Sequence, residues 1–214
     1  MVCTGLSGLS TAKTVTRQST ASSSRQHLCE CPMPNLITYV LLNGPPQCGK
    51  TTIAAPTLCS ELRKYISNIH QDSFAAPMKH YLATALSVKY SELKKDIPIA
   101  ELSGYSPREF LIDLSENYMK ERYGEDIFGR LMHYRTMRIN PLPRFVISDD
   151  CGFDVERDSL PKTVTIRIER PGYDFTSDSR NYLSNPDYTI INDGSVEKFK
   201  LAMVQLAHIL KENH

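Results

Sequence analysis

The sequence predicts an α/β protein of three αβα layers, a parallel sheet covered by helices. Three observations carry that expectation. A short apolar run passes directly into a glycine-rich loop and then a helix. Further short apolar runs alternate with helical patterns. The chain, with 214 residues of which 41% are hydrophobic and 23% charged, has the composition of one globular domain with a sizeable core.

The elements follow in chain order. Ile37-Thr38-Tyr39-Val40-Leu41-Leu42-Asn43 is nearly continuous in apolar character, which suits a strand covered on both faces. Residues 51 to about 66 read as a helix with Ile53, Leu58, Leu62 and Ile66 roughly on one stripe, kinked or loosened at Pro56. Ser106-Pro107-Arg108-Glu109 is a helix start: Ser106 can cap, Pro107 suits the first turn and Glu109 can complete a capping box. Phe110, Leu114 and Tyr118 continue that helix. Another is predicted over residues 126–139, with Ile127, Leu131 and Tyr134 on one face and Asn140-Pro141 as its stop. Phe145-Val146-Ile147, residues 164–168 and Tyr188-Thr189-Ile190-Ile191 read as strands. The turn Asn192-Asp193-Gly194 then leads into a helix bearing Phe199, Met203, Leu206 and Leu210.

Residues 1–32 differ from the rest, with eleven Ser or Thr, three basic residues (Lys13, Arg17, Arg25) and Glu30 as the only acid. Such a stretch cannot bury enough apolar surface to offset its ordering entropy, so a disordered low-complexity leader is expected ahead of a domain at residues 33–214. An acid-poor, Ser-rich leader also fits an organelle transit peptide, and a translated leader before a start at Met33 explains it as well. Cys29 and Cys31 have no second Cys/His cluster with which to complete a zinc set, so no cysteine metal site is expected. Six scattered cysteines do not resemble a secreted disulfide framework. The expected compartment is cytoplasmic (the host cytoplasm if the protein is viral), with organelle import through residues 1–32 as the alternative. No run of eighteen apolar residues occurs, so no membrane-spanning helix is expected. A net charge of +1 gives no whole-molecule field for nucleic acid or an anionic membrane, so any anion site has to be local and its ligand small. A homodimer is compatible with the sequence.

The string Gly44-Pro45-Pro46-Gln47-Cys48-Gly49-Lys50-Thr51 satisfies G-x-x-x-x-G-K-[ST], and it lies between a buried strand and a helix, the context this phosphate-binding loop requires. Its glycines let the backbone curl so that N–H groups face phosphates, and the following helix adds its positive end. The expected donor ligand is ATP, contacted by Gly44, Pro45, Gln47, Cys48, Gly49, Lys50, Thr51 and Thr52. Lys50, exposed before ligand arrives, would hold the β and γ phosphates, and Thr51 would ligate Mg²⁺. Cys48 reads as a small filler or as an oxidisable thiol. Asp149 and Asp150, directly after the strand residues Phe145-Val146-Ile147, are the candidate carboxylates for Mg²⁺. A GTPase is disfavoured, since no N-K-x-D or T-K-x-D string follows the loop. A nucleic-acid motor is disfavoured by the short, near-neutral chain.

Several further segments, in this order and spacing, resemble the bacteriophage-type deoxynucleoside monophosphate kinases. They are Phe74-Ala75-Ala76-Pro77-Met78-Lys79, Ser106-Pro107-Arg108-Glu109-Phe110, Asp150-Cys151-Gly152-Phe153 with Glu156, Arg170-Pro171-Gly172 and Ile191-Asn192-Asp193-Gly194-Ser195. With the phosphate loop they span residues 37 to about 210. The resemblance implies a five-stranded parallel core with a substrate-binding insertion and a lid, and ATP- and Mg²⁺-dependent phosphorylation of a (deoxy)nucleoside monophosphate. By position it implies that Phe74, Lys79 and Arg108 contact the acceptor. It places Arg167 and Arg170 where lid or post-lid residues approach phosphates, with Lys50, Arg108 and Arg170 acting in catalysis; Arg130 is a further candidate. Gly152 departs from the family pattern, which often carries arginine there. The reading from a different class is a nucleotide-binding regulatory or scaffold protein without kinase turnover.

Overall fold

The computed structural model describes residues 37–176, 178 and 180–213; the leader expected at residues 1–32, with Cys29 and Cys31, lies outside them. Five parallel strands form one sheet in the order β2-β3-β1-β4-β5, comprising β1 Thr38–Asn43, β2 Ile69–Asp72, β3 Phe145–Ser148, β4 Thr163–Glu169 and β5 Tyr188–Ile191. All four pairings are parallel, with Val40 opposite Ile147 on one side and Val164 on the other. The sheet is therefore the predicted parallel one, and its C-terminal edge gathers the loops that follow β1, β3 and β4.

Every residue of β1 is buried, and the pleat explains why its sequence is apolar throughout. Val40 and Leu42 enter a core shared with Leu58, Leu62, Met203 and Leu206, under α1 Ala55–Leu62 and α7 Val196–Asn213. Tyr39 and Leu41 enter the opposite core, shared with Met78, Leu111, Phe128 and Met132. That second core lies under α2 Ala76–Ala85, α3 Pro107–Asp113 and α5 Ile127–Thr136. Helices on both faces complete the three layers.

Several boundaries differ from expectation. The helix after the loop opens with a wide π-type turn, Lys50–Ala54, in which the Ala54 and Ala55 N–H groups reach back five residues to Gly49 and Lys50. Pro56 thus falls in the first turn of the regular segment, where its missing N–H interrupts nothing. The predicted kink is a wide turn upstream of it. The helix ends at Leu62, not near residue 66, because Lys64 and Tyr65 close tight turns onto Glu61 and Leu62 before Ser67 and Asn68 leave. Strand β2 and the short α6, Asp154–Asp158, were not foreseen; Ile69-His70-Gln71-Asp72 is an edge strand with half-polar content that gives no apolar run. The capping box at Ser106 and Glu109 forms as read. Its helix continues through a second wide turn, Leu114–Lys120, into α4, Glu121–Tyr123, and stops at Gly124, whose φ of 100° suits only glycine.

Candidate phosphate-binding site

Between β1 and α1 the loop is closed by residues that tolerate no substitution of size. A Cβ on Gly44 would lie 2.3 Å from the Ile168 carbonyl oxygen, so only glycine lets β1 leave the sheet here. Gly49 adopts φ 99° and Gln47 φ 62°, the left-handed conformations that curl the backbone. The loop is pinned from outside by Arg170, whose Nη1 donates to the Gln47 carbonyl at 2.7 Å, and by Asn192, whose Nδ2 donates to the Cys48 carbonyl at 3.0 Å. The Cys48 side chain is wholly buried in the first core, beneath the loop, as a filler would be.

Lys50 is 8% exposed, which corrects the expectation of an exposed lysine. Its ammonium lies inside the curl, donating to the Gly44 carbonyl and, at 2.7 Å, to the Pro45 carbonyl, with Cys48 Sγ at 3.5 Å. The loop's own carbonyls take donors that would otherwise face solvent. Burial, foremost, holds the Lys50 ammonium below the ordinary lysine pKa. Thr51 and Thr52 are exposed at the opening turn of the helix.

The two candidate metal carboxylates have separate occupations. Asp150 Oδ1 accepts from the Phe74 N–H at 2.9 Å and Ser148 Oγ at 2.9 Å; Oδ2 accepts from Ser73 Oγ at 2.6 Å and the Ala75 N–H at 3.2 Å. Asp150 thereby ties the end of β3 to the turn at residues 73–75 that leads from the neighbouring strand β2 into α2. Hydrogen bonds among the described residues go to Asp150 and not to Asp149. Asp149 is half-exposed and close enough to Lys50 and Cys59 for its charge to act on both. Among the described residues no group of three or more His, Cys, Asp or Glu could hold a metal ion.

The residues assigned to the acceptor are scattered around this edge. Lys79 Nζ lies 3.3 Å from Ser73 Oγ, the hydroxyl that serves Asp150. It also lines a groove of about 790 Å³ with His80, Ser87 and Tyr90, but that groove shares no residue with the phosphate loop. Arg108, in the first turn of α3, is half-exposed, and its Nε donates to Asp96 at 2.6 Å. Phe74 is 3% exposed and belongs to the second core, so its ring presents no open face. Arg167 donates to the Leu183 carbonyl at 2.8 Å and lies 4.9 Å from the Tyr182 ring, bracing the β4–β5 connection. Arg130 is turned to Asp126 and the Tyr123 carbonyl.

Three residues that the sequence reading passed over complete the arrangement. Asn43, 1% exposed at the end of β1, donates to the Cys151 carbonyl at 3.0 Å and the Asn181 carbonyl at 2.9 Å, and accepts from the Leu183 N–H at 3.0 Å. Arg135 forks onto Asp72 Oδ2 through Nη2 at 2.8 Å and Nε at 3.2 Å, fixing the end of β2. Arg180, in the β4–β5 connection, lies beside Gly152. A polar residue at the end of an otherwise apolar strand was a visible signal for Asn43; Arg180 sits in a Ser/Asp-rich stretch that offered none.

No helix of the described residues is long and apolar enough to cross a membrane. No protein-family profile matches the chain, and no curated protein matches it. Among solved structures, the chain is similar to the Mycobacterium tuberculosis APS kinase CysC in complex with AMPPNP and APS, at 14% identity over 82% of this chain and 99% of that one, with a TM-score of 0.42. It is also similar to shikimate kinase from Aquifex aeolicus vf5, at 14% identity over 82% of this chain and 98% of that one, with a TM-score of 0.37.

Proposed function

We propose that this protein is an ATP- and Mg²⁺-dependent phosphotransferase whose acceptor is a (deoxy)nucleoside monophosphate. The observation that carries the reading is the placement of the Lys50 ammonium inside the curled loop at the head of a helix. Backbone N–H groups, a helix N-terminus and a desolvated ammonium favour a polyphosphate there. Mg²⁺ fits the donors present. Thr51 offers an exposed hydroxyl and Asp149 a carboxylate, and Mg²⁺ typically takes only one or two protein oxygens, the rest coming from phosphates and water. When bound, the ion would neutralise charge on the donor phosphates.

A phosphate acceptor suits the site better than an alcohol. An alcohol needs a base to remove its proton, and Asp150, the carboxylate nearest the α2 entry, already accepts four hydrogen bonds. A monophosphate oxygen is already ionised near neutral pH. In the reaction a bond forms from that oxygen to the γ-phosphorus while the bond from the γ-phosphorus to the β–γ bridging oxygen breaks; ADP leaves with the electron pair. The protein's task is then alignment and charge neutralisation, the roles this reading gives to Arg108, Lys79 and Arg170.

The test is purified protein with ATP, Mg²⁺ and a panel of deoxy and ribo monophosphates, read by ADP release and confirmed by diphosphate product. Acceptor-dependent turnover with at least one of them is expected. If every acceptor leaves ATP consumption at background while ATP still stabilises the fold, the kinase reading fails and a nucleotide-binding regulatory protein takes its place.

A further inference from the structure

Arg180 is a cation of this edge that no motif marks. A Cβ on Gly152 would lie 2.3 Å from Arg180 Cγ and 2.4 Å from its Cδ, so the bare backbone at the exit of β3 is the surface along which the arginine stem lies. The segment carrying it is fastened to the phosphate-loop strand: the Asn181 N–H donates to the Gly152 carbonyl at 3.3 Å, and Asn43 binds Asn181 and Leu183 on either side of Tyr182. The backbone that follows Arg180 is thus tied to the exits of β1 and β3 by one backbone bond and two bonds of the Asn43 side chain. The guanidinium is close enough to Lys50 to lower the lysine's pKa, and it feels the carboxyl groups of Asp150 and Glu156.

What the guanidinium holds is the second observation. Arg180 Nε donates to Asp178 Oδ1 at 2.7 Å and Nη2 to Oδ2, a fork onto a carboxylate whose side chain is only 9% exposed. Burial raises the Asp178 pKa, but the bonds from Arg180, reinforced by the charges of Arg180 and Arg108, hold it below the ordinary aspartate value. Asp178 is therefore held as an anion chiefly by Arg180 on the β4–β5 connection, with the charge of Arg108 on α3 adding to it. A fork that accepts a carboxylate has the geometry to accept two phosphate oxygens.

We propose that Arg180 is a catalytic residue of this site, its guanidinium exchanging the Asp178 carboxylate for phosphate oxygens of the bound nucleotides during transfer. This deepens the kinase reading and rests on it. Asp178 occupies the guanidinium fork until a ligand with higher charge arrives.

The experiment compares wild type with Arg180→Ala, Arg180→Lys and Arg180→Gly, using ATP with whichever monophosphate supports wild-type turnover. Acceptor-dependent kcat should fall about 10³-fold in Arg180→Ala, since an arginine acting on the transferred group contributes at least that much. Affinity for ATP should stay within about threefold, because the interaction is made chiefly in the transition state. Arg180→Lys should recover little of the rate, for want of the planar fork. Millimolar guanidinium ion should restore part of the rate in Arg180→Gly, a response that a merely structural residue would not give. If Arg180→Ala keeps kcat within about fivefold of wild type, the proposal is overturned. It is equally overturned if rate, ATP affinity and Tm fall together without guanidinium rescue. A wild type inactive with every acceptor would instead sink the kinase reading itself.

Discussion

Replacing Asp150 by Asn separates support of the turn between β2 and α2 from metal binding, because the two carboxylates after β3 are neighbours in sequence and differ wholly in partners. Asp150 gives each oxygen two donors: Phe74 N and Ser148 Oγ on Oδ1, Ser73 Oγ and Ala75 N on Oδ2. Asparagine keeps one oxygen and turns an amide donor toward two groups that also donate. Hydrogen bonds to a charged acceptor contribute roughly 1.5–3 kcal/mol each, but Ser hydroxyls can reorient toward other acceptors, so a net loss of about 3 kcal/mol is expected. For a domain of this size that is a fall in Tm of about 6–12 °C. Asp149→Asn, which removes no hydrogen bond among the described residues, should leave Tm within about 2 °C while shifting the Mg²⁺ concentration for half-maximal turnover upward by about tenfold. Thermal unfolding by circular dichroism, followed by Mg²⁺ titration of the acceptor-dependent rate, measures both. The reasoning is wrong if Asp150→Asn melts like wild type, or if Asp149→Asn unfolds early with its Mg²⁺ curve unmoved.

Lys50→Ala should lower acceptor-dependent ATP turnover by about 10²–10³-fold or more, since on the proposed reading the ammonium leaves the loop carbonyls for the charge that develops on the transferring group; turnover near the wild-type rate would remove Lys50 from the proposed mechanism. Glu156 offers a pH test. It is buried, and desolvation, opposed by the Lys120 ammonium, pushes its pKa from 4.5 to about 8. Between those values the folded protein holds a proton that the unfolded chain releases, so the stability contributed below pH 4.5 is lost as pH rises toward 8. Glu156→Gln should match wild type near pH 5 and exceed it near pH 8.5 by on the order of 3–5 kcal/mol, read from denaturant midpoints; parallel curves at both pH values would show that the carboxyl is not desolvated.

The phosphate loop, the central strand and the capped helix at Ser106 were legible in the sequence because each is specified locally. A glycine that must curl, an apolar run covered on both faces and a serine three residues before a glutamate leave their mark within a few positions. Strand β2 left no such mark, since an edge strand has one face and one side to satisfy and tolerates His70 and Gln71. Only the tertiary structure distinguished Asp149 from Asp150, because the distinction lies in Ser73, Phe74 and Ala75, more than seventy residues away and brought alongside by the β2–β3 pairing. The same holds for Arg180. In sequence it is one arginine among serines and aspartates, and it becomes part of the site through Asn43 and the missing side chain at Gly152, contacts that exist only once β1, β3 and the β4–β5 connection converge.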